Sequence, residues 1–228
     1  MTSTVTPGSG IGNGVLFDAY SPFGPFGRST PAVRVVMDVC CASHAIHVAK
    51  TEEGALLGLV HRDVSPQNIL VDTDGHALLT DLGMARGARH RLGYMALEHL
   101  RGAACSPWSD VFGLGVVLWE ALTGRALFRG ATPAESLRLT LEANVPAAST
   151  LNAALPATLN IVLQHCLAAR PSDRFATARE FREALACSVP WLASREEIAR
   201  VVTYLAGAGL HGQRRAIILA RRSTRGGG

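Results

Sequence analysis

The stretch VHRDVSPQNILV and the residues that follow it contain groups that could act together on a phosphate. Asp63 is followed five residues later by Asn68, and Asp81 comes directly after the apolar stretch ALLT. A carboxylate can accept the proton of a substrate hydroxyl, while an amide oxygen and a second carboxylate can hold Mg²⁺ between nucleotide phosphates. Phosphoryl transfer depends on this positioning and charge neutralisation more than on covalent catalysis. The residue types and their spacing therefore indicate phosphoryl-transfer chemistry.

Further motifs follow in a fixed order along the chain. GYMALE occupies 93–98, SDVFGLG occupies 109–115, and DRF occupies 173–175. They come after HRDVSPQN at 61–68 and after the DLG that begins at Asp81. One such motif would be a weak signal, but five in this order are specific. On these residues the chain resembles the protein kinase family, in particular its bacterial Hanks-type Ser/Thr branch.

The resemblance covers about residues 32–187 and implies a protein-kinase-like C-terminal lobe. This is a mainly α fold, within an α+β family, with a few short strands around the catalytic loop, which contains HRDVSPQN at 61–68. We expect a flexible Gly/Pro-rich leader at 1–30, the lobe at 31–188, and a helical extension with a basic tail at 189–228. Periodicity and capping residues predict helices and strands inside these regions. The predicted helices lie at 31–50, 109–122, 132–143, 157–168, 176–187 and from about 194, and the predicted strands lie at 69–71 and 77–79.

The resemblance assigns the chemistry to three residues. It implies that Asp63 is the catalytic base and that Asn68 and Asp81 are the Mg²⁺ ligands, which also makes them part of the ATP site. The implied cofactors are therefore ATP and Mg²⁺. The implied partner is a protein substrate or another protein that binds the lobe.

Four further residues receive supporting roles from the same resemblance. Arg62 would bind a phosphate on the activation loop, and Asp110 would hold the backbone of the catalytic loop from below. Glu98 and Arg174 would form a buried ion pair that ties the activation segment to the lobe. Losing one partner of such a pair typically costs about 3–5 kcal/mol of stability.

The parts of a kinase that grip ATP from above are not recognisable in these 228 residues. A glycine-rich loop, a strand lysine in V-A-I-K and its helix glutamate belong to the N-lobe of the family. The glycine run at 8–14 does not fit G-x-G-x-x-G, because the third glycine would fall on Asn13 or Val15. Lys50 is the only lysine of the chain, and it lies 11 residues before His61, at the end of a predicted helix.

We therefore expect a truncated kinase that is very weak or inactive as an isolated chain. The loss of one pre-organised charge donor typically costs about 10²- to 10³-fold in rate, and here several donors are missing. A second chain that supplies an N-lobe would complete the site. Two alternatives stay open: a pseudokinase-type module that binds a partner protein through the lower lobe, and a gene remnant without a function of its own.

The activation segment departs from the family pattern. It is short between Asp81 and Glu98, and Tyr94 carries its only hydroxyl group. The loop arginine thus has no Ser or Thr phosphate partner within this segment. Leu97 replaces the proline of the usual A-P-E. Ser65 stands where Ser/Thr kinases usually carry a lysine, although the rest of the catalytic loop is typical of Ser/Thr rather than Tyr kinases.

Composition restricts the remaining possibilities. The chain is 48% hydrophobic and 18% charged, which is enough to bury a core. No apolar run approaches the roughly 18 residues that span a bilayer, and the N-terminal residues lack the features of a signal peptide. We therefore expect a cytoplasmic protein without a membrane segment. The net charge of +4 comes from arginines concentrated near the C-terminus, where a solvated end explains them better than a nucleic-acid site.

The five cysteines and eight histidines show no metal-binding spacing. Cys40 and Cys41 are adjacent in an apolar segment, so both are expected to fill the core. His44 and His47 lie three positions apart and could share one face of a helix. We interpret this pair as structural, because two histidines alone seldom make a metal site.

Overall fold

The computed structural model describes residues 14–16, 30–82 and 92–205. The strands in these ranges are β1 (Gly14–Leu16), β2 (Ile69–Asp72) and β3 (Ala77–Leu79). The helices are α1 (Thr30–His47), α2 (Leu97–Leu100), α3 (Pro107–Thr123), α4 (Pro133–Glu142), α5 (Ala157–Cys166), α6 (Ala178–Ser188) and α7, which is described over 195–205. The fold is mainly α with a small sheet, and the predicted fold class is therefore confirmed.

The three short strands form an antiparallel sheet in the order β1-β2-β3. Asp72 fixes the turn between β2 and β3, because its Oδ1 accepts hydrogen bonds from the amides of Asp74 and His76, each at 2.9 Å. Gly75 supplies the left-handed conformation that the turn needs, with φ at 81°. The sequence DTDG predicted this hairpin. Strand β1, in contrast, falls within 1–30, where the sequence predicts irregular structure.

Helix α3 forms the centre of the lobe, because most of its residues are apolar and almost all of them are buried. At its N-terminus the amide of Ser106 donates to Ser109 Oγ at 3.2 Å. At its C-terminus Gly124 adopts the left-handed conformation that ends a helix. Gly115 allows a close approach to α5, since a Cβ atom there would lie 2.5 Å from Cys166 Sγ. The helix is thus built to be enclosed by its neighbours.

Helix α1 packs against α3 and α6 and buries most of its surface. Cys40 lies on the buried side, and burial raises the pKa of its thiol well above 9.0. Cys41, however, is exposed. The prediction that both cysteines fill the core is therefore wrong for Cys41, because consecutive residues on a helix point about 100° apart.

A short hairpin follows α1 and leads into the catalytic loop. The helix ends at His47, three residues before its predicted end. Lys50 instead forms an isolated bridge with Leu56, and the amide of Leu57 donates to the carbonyl oxygen of Ala49 at 2.8 Å. The only lysine of the chain thus lies, exposed, on a hairpin of this lobe.

The later helices agree with the predicted ones to within about two residues, which is the usual uncertainty of helix ends. Thr132 caps α4 by accepting a hydrogen bond from the amide of Glu135 at 3.1 Å, and Thr177 caps α6 through Glu180 at the same distance. No helix in the described ranges combines the length and the apolar character that crossing a membrane requires.

Candidate active site

The catalytic loop is attached to α3 through Asp110. This residue is 1% exposed, and its Oδ2 and Oδ1 accept hydrogen bonds from the amides of His61 at 2.8 Å and Arg62 at 2.9 Å. Arg62 has a left-handed backbone, with φ at 70°. A non-glycine residue keeps such a conformation only where its surroundings enforce it. The two hydrogen bonds to Asp110 supply that enforcement.

A second contact to Asp110 comes from α1. The Nε2 atom of His47 lies 2.7 Å from Asp110 Oδ2, and both side chains are almost fully buried. Sequence reasoning missed this contact. It noted that His47 shares a helix face with His44, but the partner of His47 lies 63 positions further along the chain. Only the packing of α1 on α3 reveals it.

The ring of His61 connects the catalytic loop to the residue before Asp81. Its Nε2 lies 2.9 Å from the carbonyl oxygen of Thr80, and because a carbonyl only accepts, Nε2 carries the hydrogen. His61 has no exposed surface. The HRD motif includes this histidine, but the sequence analysis gave it no role. The structure shows that it joins the two segments that carry the predicted site residues.

Asn68 and Asp63 are in direct contact. Both hydrogens of the Asn68 side-chain amide are used, since Nδ2 donates to the carbonyl oxygen of Asp63 at 2.7 Å and to its Oδ2 at 2.9 Å. The Asn68 side chain is 3% exposed. This geometry orients the Asp63 carboxylate and leaves Oδ1 of Asn68 as the atom that can accept a further ligand.

The β2–β3 hairpin brings Asp81 to the same end as Asn68. The amide of Thr80 donates to the carbonyl oxygen of Asn68 at 2.9 Å, so the two segments are paired directly before Asp81. Asp81 also has a left-handed backbone, with φ at 62°. Only one other described non-glycine residue besides Arg62 shares this feature, namely Ala143 at the end of α4. Backbone strain is therefore concentrated at the predicted site.

Glu98 and Arg174 lie against each other below the site. Both terminal nitrogens of Arg174 donate to the Glu98 carboxylate, at 2.9 and 3.0 Å, and Ser109 Oγ donates to it at 2.8 Å. Burial favours the neutral acid, but the hydrogen bonds and charge of Arg174 outweigh it, so the pKa of Glu98 is lowered from 4.5. The guanidinium also stacks 4.8 Å from the centre of the Phe112 ring. Two predicted partners thus meet in a fully hydrogen-bonded arrangement.

The remaining predicted features are only partly described. Residues 83–91, which form most of the activation segment, lie outside the described part of the chain, as does the glycine run at 8–13. Tyr94 is buried and donates to Glu120 Oε2 at 2.6 Å, so its hydroxyl serves the packing of this segment on α3. Ser65 has no exposed surface, and its Oγ has no hydrogen-bond partner among the described residues.

The protein kinase domain family matches residues 11–188 of the chain. This chain belongs to the protein kinase family. The match begins before the region in which the motifs were recognised, and the expected Hanks-type membership is confirmed by it together with bacterial relatives.

Three bacterial kinases illustrate the similarity. The tyrosine-protein kinase MasK of Myxococcus xanthus is 32% identical over 164 residues, which cover 67% of this chain and 25% of that protein. The serine/threonine-protein kinase PknL of Mycobacterium tuberculosis is 36% identical over 132 residues, covering 53% of this chain and 33% of PknL. PrkC of Bacillus subtilis is 32% identical over 136 residues, covering 54% of this chain and 20% of PrkC. The kinase-like chain thus spans between a fifth and a third of the length of these relatives.

Proposed function

We propose that this chain provides the catalytic lobe of an ATP- and Mg²⁺-dependent protein serine/threonine kinase. The observation that carries the proposal is the double hydrogen bond from the Asn68 amide to Asp63. It fixes the orientation of one carboxylate and presents an amide oxygen beside it. Phosphoryl transfer to a hydroxyl requires a base and a metal ligand that are held in a fixed position relative to each other.

The donor set fits a magnesium ion. Magnesium prefers oxygen ligands and keeps several of its water or phosphate ligands, so two protein oxygens are sufficient. Asn68 offers its Oδ1, and Asp81 offers a carboxylate at the same end of the β2–β3 hairpin. When bound, the ion would neutralise charge on the phosphates of ATP.

Asp63 is assigned the role of the base. Its carboxylate accepts from Asn68, which prevents it from rotating away from the loop. In the proposed reaction this carboxylate accepts or orients the proton of the substrate hydroxyl. The hydrogen bonds from the amides of His61 and Arg62 to Asp110 hold the loop in the required shape. Arg62 itself remains available for a phosphate supplied from outside the activation segment.

The substrate class is assigned to serine and threonine. The catalytic loop supports this assignment, although Ser65 replaces the lysine that such kinases usually carry. One relative is named a tyrosine-protein kinase and two are named serine/threonine-protein kinases. Phosphoamino-acid analysis of the labelled product decides between the classes, because phosphotyrosine alone would contradict the assignment.

These 228 residues are expected to act weakly by themselves. Their only lysine, Lys50, lies on the hairpin after α1 and not on a strand above the site. Each missing charge donor typically lowers the rate by about 10²- to 10³-fold. We therefore propose that a lysine-bearing N-lobe, from another segment or another chain, completes the ATP site.

The position of Lys50 also favours a second candidate function, a pseudokinase-type module that binds a protein partner without transferring phosphate. The hydrogen-bonded network around Asp110 would then serve only to keep the lobe folded. A gene remnant without function is the remaining alternative, and it predicts neither transfer nor a specific partner.

The test is transfer of labelled γ-phosphate to a mixed protein acceptor by the purified chain, alone and with a separately produced kinase N-lobe. Asp63→Asn is the inactivating variant because it keeps the size and removes the base. Asp74→Asn, on the exposed turn, is the matched control. We expect slow transfer that the N-lobe stimulates, that Asp63→Asn abolishes, and that Asp74→Asn leaves unchanged. Transfer that is equal in wild type and Asp63→Asn would overturn the proposal.

The proposed location is the cytoplasm. All five cysteines are free in the structure, which fits a reducing compartment. Fractionation of cells that produce the tagged chain tests this location directly.

A further inference from the structure

The segment after the matched kinase domain is built into the lobe. The family match ends at residue 188, but the chain continues into α7, described over 195–205. The inward-facing residues of this segment are buried and join the core of the lobe. They are Val189, Ala193, Ile198, Val201 and Val202, each no more than 8% exposed. Residues 189–205 are therefore a packed part of the fold.

The first residue of α7 reaches across to α1. Arg195 donates from Nη1 to Asp38 Oδ2 at 2.8 Å and from Nη2 to Asp38 Oδ1 at 3.3 Å. The same Nη1 lies 3.4 Å from the carbonyl oxygen of Gly75, in the turn between β2 and β3. Asp38 Oδ2 also accepts from the amide of Ala77, the first residue of β3, at 3.4 Å. One ion pair thus contacts α1, α7 and both sides of the hairpin turn.

The turn between β2 and β3 is also in close contact with the backbone of α7. Gly75 has φ at 81°, and a Cβ atom at this position would collide with the carbonyl oxygen of Arg195. It would also lie 3.2 Å from the amide nitrogen of Ala199. The tip of the hairpin therefore rests on α7 without a side chain between them. The opposite end of the same hairpin carries Asn68 and Asp81.

We propose that Asp38 and Arg195 are positioning residues that hold the β2–β3 hairpin, and through it the magnesium ligands Asn68 and Asp81, in place. The ligand role of Asn68 and Asp81 rests on the proposed function, whereas the mechanical connection does not. The inference gives residues 189–205 a part in the kinase site that lies outside the matched domain. A hairpin of two short strands has little stability of its own, so its contacts with β1, α1 and α7 together decide how often it opens.

Hydrogen exchange on the full chain tests the connection. The variants are Arg195→Met, which keeps the apolar stem, and Arg195→Lys, which keeps the charge but not the two-pronged geometry. Arg200→Met is the matched control, because Arg200 is exposed on the same helix and, within the described part of the chain, its side chain interacts with Glu196 alone. We expect exchange over 69–80 to become about fivefold faster in Arg195→Met, as for the loss of a partly exposed ion pair.

Comparison of hydrogen exchange in the hairpin and in α3 shows whether Arg195 supports the hairpin locally or stabilises the whole lobe. Exchange in α3 should remain at the wild-type rate in Arg195→Met, Arg195→Lys should lie in between, and Arg200→Met should match wild type. Unchanged exchange over 69–80 would overturn the inference, and so would an equal acceleration in α3 and the hairpin. Asp38→Asn provides an independent variant from the other side of the ion pair and should reproduce the effect.

A second measurement asks whether the support reaches the magnesium ligands. In the presence of the separately produced N-lobe, the Mg²⁺ concentration for half-maximal binding of a fluorescent ATP analogue should rise about threefold to tenfold in Arg195→Met, with the maximal signal preserved. An unchanged Mg²⁺ requirement beside faster hairpin exchange would overturn the positioning role. If wild type together with the separately produced N-lobe binds no nucleotide at any Mg²⁺ concentration, the proposed function fails, and hydrogen exchange alone then decides the mechanical connection.

Discussion

The Glu98 carboxylate accepts a hydrogen bond from each terminal nitrogen of Arg174, at 2.9 and 3.0 Å. The Arg174 side chain has no exposed surface, and the two residues lie 76 positions apart in sequence. Arg174 additionally donates to the carbonyl oxygens of Ala168 at 2.8 Å and Trp108 at 3.1 Å. The guanidinium therefore joins α2, α3 and the loop after α5 at one point.

Removal of this guanidinium should strongly destabilise the lobe. In Arg174→Met the Glu98 carboxylate loses its counter-charge and keeps only Ser109 and its own backbone amide as donors, so we expect the free energy of unfolding to fall by about 3–5 kcal/mol. Urea denaturation measures it. Arg138→Met is the control, because its ion pair with Glu142 is exposed, and it should cost less than about 0.5 kcal/mol. Equal losses in the two variants would contradict the importance of the buried pair.

The lowered pKa of Glu98 makes part of the stability depend on pH. Because the folded-state pKa lies below the ordinary value of 4.5, the unfolded chain binds more protons in the window just below that value. The contribution is fully present above the unfolded pKa and is lost as the pH falls through the folded pKa. The stability difference between wild type and Glu98→Gln should therefore shrink between about pH 6 and pH 3 in urea titrations. A difference that stays constant over this range would refute the assignment.

The proximity of the proposed site residues could be expected from the sequence, because the motifs that carry them are short and lie close together along the chain. Asp63 and Asn68 lie five positions apart on one loop and are in direct contact. The hairpin that adds Asp81 follows from a turn signal between two apolar triplets, and α3 follows from a long apolar run. In each case the deciding interactions span only a few residues, which is the range over which periodicity and turn chemistry act.

The family resemblance implied the contacts of Asp110 with the catalytic loop and of Glu98 with Arg174, but two other contacts that hold the site in place were not predicted. His47 meets Asp110 across 63 positions, and Asp38 meets Arg195 across 157. Both contacts depend on how the helices pack, and no local pattern in a single sequence reveals which distant residues such packing brings together. The wrong prediction for Cys41 has the same cause. Its apolar neighbours in sequence predicted burial, but the orientation of α1 leaves its side chain exposed.

Asp110 should be indispensable for the shape of the catalytic loop. Asp110→Ala leaves the amides of His61 and Arg62 without acceptors, and each buried unsatisfied donor costs about 1–3 kcal/mol. We expect the unfolding free energy to fall by at least about 2 kcal/mol, and the exchange of these two amides to accelerate more than that of α6. Amide-resolved NMR exchange measures this. Asp173→Ala, at an exposed position, should leave both quantities unchanged, and a similar response there would contradict the prediction.

The close approach of α3 to α5 should tolerate a methyl group only if space is made for it. In Gly115→Ala the new Cβ would lie 2.5 Å from Cys166 Sγ and 3.1 Å from the Leu167 side chain, so we expect a loss of about 1–3 kcal/mol. Cys166→Ala alone removes the sulfur and leaves a small cavity, which costs about 1 kcal/mol.

In the double variant the added methyl occupies the space that the sulfur leaves, so the two losses should not add. Urea denaturation of the four proteins gives the coupling energy, which we expect to exceed about 0.5 kcal/mol and to favour the double variant. The stability of the double variant should stay below that of wild type, because the contact of the new Cβ with Leu167 remains. Strict additivity of the two losses would contradict the prediction and would show that α3 shifts as a whole to relieve the clash.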